Sequence, residues 1–183
     1  MSDNKKTALF DIDSILRKIK IDEGQKVAEL GCGNFGFFVW PLAKIVGRRG
    51  HVYAVDVLKS TLEEIKRRAL KDNLPQVKTI WSNLELFKAT DIETNSLDCA
   101  LLVNVLYQSD KRTDIIREAI RLLKRSGKLL IVEWENSDSP LGPNLEKRVK
   151  LDSLKSAAPK LGLDVQEIFV AGPYHYGIIL TKL

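Results

Sequence analysis

Short runs of β-branched and aliphatic residues alternate along this chain with segments of helical periodicity, and this alternation restricts its fold more than any other feature. In one helical segment Leu58, Leu62 and Ile65 recur three or four positions apart, which places them on one helix face. The alternation predicts a doubly wound α/β fold, in which helices cover both faces of a mostly parallel sheet. The five runs are residues 26–30, 51–56, 77–81, 97–103 and 128–134.

The end of the chain breaks this alternation. Residues 163–171 and 176–183 both have the pattern of strands, and only Gly172-Pro173-Tyr174-His175 separates them. This connection is too short for a crossover helix, so the two strands are expected to pair antiparallel. Pro159 interrupts the helical periodicity before them and predicts a kinked or divided helix. The complete prediction is a seven-stranded sheet, mostly parallel, with an antiparallel C-terminal strand.

Length and composition exclude several classes of protein. A chain of 183 residues suits one core, and residues 1–183 are expected to form one domain. Every stretch long enough to span a membrane contains charged residues, and the polar N-terminus lacks the apolar core of a signal peptide. Two cysteines, Cys32 and Cys99, are too few for a disulfide framework or a cysteine-rich zinc site. These features favour a cytoplasmic protein without a membrane partner or a bound metal.

The formal net charge of +5 raises the question of an acidic partner such as RNA or DNA. The basic pairs are scattered along the sequence, however, and most fall on predicted helix faces or helix ends. Solvated charge is the usual explanation of such pairs. A nucleic-acid partner is therefore weakly supported, and the sequence does not indicate an oligomeric state.

A glycine-rich turn after the first predicted strand carries the sharpest functional signal. Gly31, Gly33 and Gly36 have GxGxxG spacing, and residues without Cβ atoms let a ligand approach the backbone. Glu29 lies at the strand end just before them, where a carboxylate suits a cationic amino-acid group better than a pyrophosphate. Asp56 ends the second predicted strand, where it can accept hydrogen bonds from both ribose hydroxyls. Asp56 alone fits NAD and S-adenosylmethionine equally well.

From Leu9 onward the chain resembles small class I, Rossmann-like S-adenosylmethionine-dependent methyltransferases, near the type 11 and ubiquinone/menaquinone-biosynthesis groups. Residues 29–33 resemble their first motif, and Asp56 resembles their ribose-binding acid. Residues 97–104 and 122–129 look like their fourth strand and the turn into their fifth. The resemblance implies the sheet order 3-2-1-4-5-7-6 and S-adenosylmethionine as cofactor. The cofactor-binding residues that it implies are Glu29, Gly31, Cys32, Gly33, Asp56, Val57, Asn83, Leu84 and Asn104.

The sequence departs from the family at one position. Many relatives carry an acid after the third strand that accepts a hydrogen bond from the adenine amino group, and Asn83 stands there in this chain. An Asn carbonyl oxygen still accepts that bond, although without charge. Leu84, the next residue, is expected to pack on the adenine ring.

The methyl acceptor is expected beyond the carboxyl ends of the strands, where ligands of such sheets bind. His175 is a candidate general base there, with a packed turn histidine as the alternative, and Tyr107 is a second candidate catalytic residue. The turn at residues 173–177, Tyr107 and a leading helix around residues 10–19 are expected to enclose the acceptor site. Because the chain has no room for a separate substrate domain, the expected acceptor is a molecule of small or moderate size, or a protruding group of a larger one.

Other functions remain open at the level of the sequence. RNA or protein methylation would use the same cofactor site, and the sequence does not identify the acceptor atom. An NAD-dependent oxidoreductase shares the glycine spacing and Asp56, but Glu29 and the terminal strand pair count against it. A cofactor motif also does not guarantee turnover, so a non-catalytic adenosyl-binding module is a further alternative.

Overall fold

Seven strands and five α-helices make up the part of the chain that the computed structural model describes, residues 9–137 and 139–183. The strands are β1 (Lys26–Leu30), β2 (His51–Asp56), β3 (Val77–Trp81), β4 (Leu97–Val103), β5 (Leu123–Trp134), β6 (Leu163–Gly172) and β7 (His175–Lys182). The α-helices are α1 (Ile12–Ile19), α2 (Val39–Val46), α3 (Lys59–Lys71), α4 (Arg112–Leu122) and α5 (Leu151–Ala157). Short 3-10 helices lie at Leu106–Gln108, Leu145–Lys147 and Pro159–Leu161.

The strands form one sheet in the order β3-β2-β1-β4-β5-β7-β6. Strands β1 to β5 pair in parallel, whereas β7 pairs antiparallel with both β5 and β6. The predicted sheet order and the antiparallel terminal strand are therefore confirmed. Strand β5 begins earlier than its sequence pattern predicts, because Leu123 pairs with Leu97 before a register shift joins the rest of the strand to β4.

Helices bury apolar residues against both faces of the sheet, as a doubly wound fold requires. One face packs against α1, α2 and α3 through residues such as Ile15, Leu42 and Ile65. The other packs against α4 and α5 through residues such as Ile116 and Leu154. Near the end of the chain α5 stops at Ala157 and a 3-10 turn follows from Pro159, which confirms the predicted division of that helix.

Two negative findings apply to residues 9–137 and 139–183. None of their helices is both long enough and apolar enough to cross a membrane. Their His, Cys, Asp and Glu side chains form no cluster of three or more that could hold a metal ion.

The parallel strands bring several turns together at the carboxyl edge of the sheet. Strand β2 lies on one side of β1 and strand β4 lies on the other, so the strand order reverses direction at β1. Ligands of doubly wound sheets bind at such a reversal. Strand β6 runs in the same direction as β5, so the turn between β6 and β7 also lies at this edge, with His175 opposite Trp134.

Candidate functional site

A cavity of about 450 Å³ opens at the carboxyl edge of the sheet, between the turns that follow β1, β2, β3 and β4. It is therefore assembled from residues that are far apart in sequence, at the point where the strand order reverses. Its wall consists of Gly31, Gly33, Asp56, Val57, Leu58, Ser82, Asn83, Leu84, Glu85, Val105, Gln108, Ser109 and Ile115.

The glycine turn after β1 forms one side of this cavity and depends on glycine at two positions. Gly31 has φ of 81° and Gly33 has φ of 60°, a region that other residues rarely adopt. A Cβ atom at Gly31 would lie 2.6 Å from Cγ2 of Val105, so the turn after β4 fits directly against this glycine. At Gly33 the corresponding space holds no described protein atom within 4 Å, which leaves that side of the turn open to a ligand.

Asp56 ties the glycine turn to the end of β2. Its Oδ2 accepts a hydrogen bond from the N–H of Gly33 at 2.9 Å, and its Oδ1 accepts one from the N–H of Leu58 at 2.9 Å. Each carboxylate oxygen has a further lone pair. Asp56 can therefore hold the turn in place and still accept hydrogen bonds from two hydroxyl groups of a ligand.

Glu29 is a nearly fully buried carboxyl group at the end of β1, with 3% of its surface exposed. Its Oε2 has no hydrogen-bond partner among the described residues. Burial raises the pKa of Glu29 to about 8, the N–H groups of Phe38 and Val39 at the start of α2 oppose that rise, and the nearby Asp56 adds to it. Such a group is costly unless a cation pairs with it, so Glu29 and Asp56 together fit a ligand that carries an ammonium group and a ribose.

Three further predicted cofactor-binding residues line the cavity, namely Val57 and the two residues expected beside the adenine, Asn83 and Leu84. Val57 is 54% exposed, whereas Leu84 is 8% exposed and packs in the core as well. Oδ1 of Asn83 accepts a hydrogen bond from the N–H of Glu85 at 3.0 Å. Asn83 therefore stabilises its own turn, and one lone pair of its carbonyl oxygen remains for an adenine amino group.

Three predicted cofactor-binding residues, Glu29, Cys32 and Asn104, do not form part of the described cavity wall. Burial raises the pKa of the Cys32 thiol, so it is held as a neutral thiol, and its N–H donates to the carbonyl oxygen of Val55 at 3.0 Å. Asn104 has φ of 55° at the end of β4, and its buried Oδ1 has no partner among the residues that the structure describes.

Neither predicted catalytic residue lies in the wall of the 450 Å³ cavity. The ring of His175 is fully buried between Trp134, at 4.1 Å between ring centroids, and Phe10, which meets it edge-on at 5.3 Å. Burial lowers the pKa of His175 to about 4, so the ring is neutral at neutral pH. Neither ring nitrogen makes a well-formed hydrogen bond to a described residue, although the backbone of Leu9 opposes the fall in the pKa. A role of His175 as general base stays a prediction.

The expected single enclosure around the acceptor is only partly present. Phe10, Asp11 and Ile12 share a second groove of about 600 Å³ with Phe37 and Pro173, so the leading helix and the end of β6 do meet. Tyr107 belongs to the opposite face of the sheet, where it packs against the core cluster under α4. Tyr107 is not among the residues that line this groove, so its place beside the acceptor stays a prediction.

Sequence reasoning missed a polar pair on the cavity wall. Ser109 donates a hydrogen bond from Oγ to Oε1 of Glu85 at 2.7 Å, and both residues line the cavity. Gln108, beside them, donates from Nε2 to the carbonyl oxygen of Asn104 at 2.6 Å. All three lie shortly after predicted strand ends, which is the signal that would have found them.

Comparisons with known proteins are consistent with this geometry. A family model described as a methyltransferase domain matches residues 21–168. The ubiquinone/menaquinone biosynthesis C-methyltransferase UbiE of Photorhabdus laumondii is 28% identical over 176 residues, which cover 91% of this chain and 65% of that protein. The chain therefore spans less than two thirds of the length of this relative.

Two further matches differ in their described activities. The crystal structure of a SAM dependent methyltransferase from Aquifex aeolicus superposes with a TM-score of 0.87, at 23% identity, over 99% of this chain and 94% of that one. An S-adenosyl-L-methionine-dependent Diels-Alderase from Talaromyces variabilis is 26% identical over 135 residues, or 69% of this chain and 44% of that protein.

Proposed function

Because this chain belongs to the family of S-adenosylmethionine-dependent methyltransferase domains, we propose that it transfers a methyl group from S-adenosylmethionine to a small-molecule acceptor. The observation that carries the proposal is a buried carboxyl oxygen of Glu29 that has no hydrogen-bond partner among the described residues, at the same sheet edge as the Asp56-anchored glycine turn. An ammonium group, a ribose and a flat heterocycle are the parts of a ligand that these residues fit. A nicotinamide dinucleotide offers no ammonium group to Glu29.

Each residue of the site has a separate task in this proposal. Glu29 pairs with the ammonium group, Asp56 accepts the ribose hydroxyls, and Asn83 accepts a hydrogen bond from the adenine. When bound, S-adenosylmethionine supplies an already activated methyl group. The protein then has to orient the acceptor in line with that methyl group and exclude water, which requires shape more than covalent chemistry.

The second groove supports a small, largely apolar acceptor. Its wall is mostly apolar, as at Phe10 and Phe37, and its polar side chains are Asp11, Asp13 and Ser14. Phe37 directly follows the last glycine of the glycine turn. UbiE acts in the biosynthesis of ubiquinone and menaquinone, and that activity is a hypothesis for this chain. RNA or protein methylation remains the alternative acceptor class.

Calorimetric titration is expected to show S-adenosylhomocysteine binding at least about tenfold tighter than NAD. With radiolabelled methyl donor, label should then pass to the small molecules of a cell extract, recovered by dialysis or by extraction into organic solvent, rather than to its RNA or protein fraction. Tight NAD binding without S-adenosylhomocysteine binding would contradict the cofactor assignment. Label in RNA or protein would contradict the acceptor class, and binding without any transfer would favour an adenosyl-dependent function other than methylation.

Cofactor binding is expected to release roughly one proton from Glu29 at neutral pH. Its pKa of about 8 leaves the free carboxyl group mostly protonated at pH 7, and pairing with an ammonium group favours the ionised form. Calorimetry of S-adenosylhomocysteine in buffers of different ionisation enthalpy measures the released protons. The matched variant Glu29→Gln should lose this release together with affinity, and an unchanged proton count in Glu29→Gln would exclude the proposed pairing.

The same raised pKa has a consequence for the stability of the unliganded protein. A carboxyl group whose pKa rises from 4.5 to about 8 on folding stabilises the folded state most below pH 4.5. That contribution is lost as the pH rises through about 8, with a slope of at most about 1.4 kcal/mol per pH unit. Glu29→Gln should remove this slope from denaturant unfolding curves.

A further inference from the structure

Glu133, near the end of β5, is a buried carboxyl group that the proposed function does not use. Its side chain is fully buried, and its Oε1 accepts hydrogen bonds from the N–H groups of Leu106 at 2.7 Å and Tyr107 at 3.3 Å. Its Oε2 has no hydrogen-bond partner within residues 9–137 and 139–183. A carboxyl group bound in this way holds the main chain that donates to it.

The segment held by Glu133 is the turn after β4, residues 104–109, which we call the β4 turn. It begins at Asn104, whose left-handed backbone costs free energy in any residue other than glycine. Nε of Arg112 donates to the carbonyl oxygens of Leu106 and Ser109, each at 3.1 Å. Glu133 therefore fixes the N–H groups of the β4 turn, and Arg112 fixes its carbonyl groups.

The β4 turn in turn shapes the cofactor cavity. Val105, Gln108 and Ser109 contribute to the cavity wall. Val105 also occupies the space directly beside Gly31, since a Cβ atom there would meet its Cγ2 at 2.6 Å. A shift of the β4 turn would therefore change the wall of the cavity and its contact with the glycine turn together.

We propose that Glu133 is a positioning residue for cofactor binding, whose ionised carboxylate fixes the β4 turn against the glycine turn. The inference rests on the proposed function, because it takes the 450 Å³ cavity as the cofactor site. An ionised carboxylate accepts hydrogen bonds about twice as strongly as a neutral group. The β4 turn is therefore held more firmly when Glu133 has lost its proton, although Glu133 itself does not touch the cofactor in this account.

The groups around Glu133 place this change of charge near neutral pH. Burial raises the pKa of Glu133 from 4.5 to about 7, against the opposing effects of its N–H donors and of Arg112. Burial, with the charge of Glu133 as a smaller cause, raises the pKa of both Tyr107 and Tyr176, so these phenols stay neutral. The charge of Glu135 also raises the pKa of the Tyr176 phenol.

The raised pKa also means that ionised Glu133 opposes folding. Its stabilising contribution is complete below pH 4.5 and is lost as the pH rises through about 7. Ionisation of Glu133 therefore has opposite effects on two measurable quantities. It lowers the stability of the unliganded fold, and it raises cofactor affinity by fixing the β4 turn more firmly. A residue with a merely structural role would change stability and cofactor affinity in the same direction.

The first test compares the wild-type protein with Glu133→Gln between about pH 6 and pH 8. Glu29 releases a proton on binding in both proteins, so both should bind S-adenosylhomocysteine more tightly as the pH rises. The wild type should show a further step of about five- to tenfold near pH 7. Glu133→Gln should lack that further step and bind more weakly at the upper end, yet have a higher melting temperature there. The control Glu29→Gln should keep the step near pH 7. Equal pH profiles for the wild type and Glu133→Gln, or loss of stability and affinity together, would overturn the inference.

The second test needs no substitution and stays informative if Glu133→Gln does not fold. In NMR spectra of the wild type, the amide protons of Leu106 and Tyr107 should both shift downfield with one inflection near pH 7, because their common acceptor becomes charged. Amide shifts that do not change over this range would contradict the inference. Failure of S-adenosylhomocysteine to bind at any pH would instead contradict the proposed cofactor, and this titration would still report on Glu133.

Discussion

Replacing Asp56 with alanine is expected to weaken S-adenosylhomocysteine binding by about a hundredfold or more. The ribose would lose two charge-assisted hydrogen bonds, each of about 1.5–3 kcal/mol. The N–H groups of Gly33 and Leu58 would also lose their acceptor, so the glycine turn would be less well ordered before the ligand arrives. The ratio of the dissociation constants from calorimetric titration measures the effect.

Two other substitutions serve as controls for Asp56→Ala. Asp98 accepts a hydrogen bond from the N–H of Lys26 at 2.8 Å and pairs with Lys124, but it lies at the opposite edge of the sheet. Asp98→Ala should therefore leave the affinity within about twofold of wild type. Asn83→Ala removes a neutral acceptor and should cost about three- to tenfold. A loss at Asn83 or Asp98 as large as that at Asp56 would refute this order.

Alanine at Gly33 is expected to weaken S-adenosylhomocysteine binding by about tenfold or more, with only a modest loss of stability. The backbone of Gly33 has φ of 60°, and an L-residue there costs roughly 1–2 kcal/mol. Its Cβ atom would meet no described protein atom within 4 Å, and Gly33 belongs to the cavity wall. The new methyl group should therefore oppose the ligand far more than it opposes the fold.

Gly24 offers a matched control for that substitution. It has φ of 84°, and a Cβ atom there also meets no described atom within 4 Å, but Gly24 lies before β1 and outside the cavity wall. Gly24→Ala and Gly33→Ala should reduce the free energy of unfolding by similar amounts, while only Gly33→Ala impairs ligand binding. Equal affinities in the two variants would show that the ligand does not approach the backbone at Gly33.

The parts of the fold that follow local rules could be predicted from the sequence. The first four strands have the predicted bounds, because each is a short buried run between turn residues. The antiparallel terminal pair followed from a connection that is too short for a helix. The positive φ angles of Gly31 and Gly33 agree with the glycine spacing.

Contacts between segments that are distant in the chain could not be predicted from the sequence. The burial of His175 depends on Phe10, which precedes it by most of the chain, and on the ring of Trp134. The face on which Tyr107 lies depends on the backbone at Asn104, whose left-handed conformation redirects the chain after β4. The role of Glu133 in holding Leu106 and Tyr107 depends on strand register as well. None of these contacts has a periodic pattern that reveals it.

The position of β7 between β5 and β6 has a consequence for the order of folding. Strands β6 and β7 are joined by Pro173 and Tyr174 alone, so this hairpin closes a very short loop and can form early. The pairing of β5 with β4 and β7 closes much longer loops. Until the hairpin docks, the main-chain N–H and C=O groups along the edge of β5 are unpaired and can bind a strand of another chain. A hairpin that follows β5 in the chain is thus the part that protects β5 from aggregation.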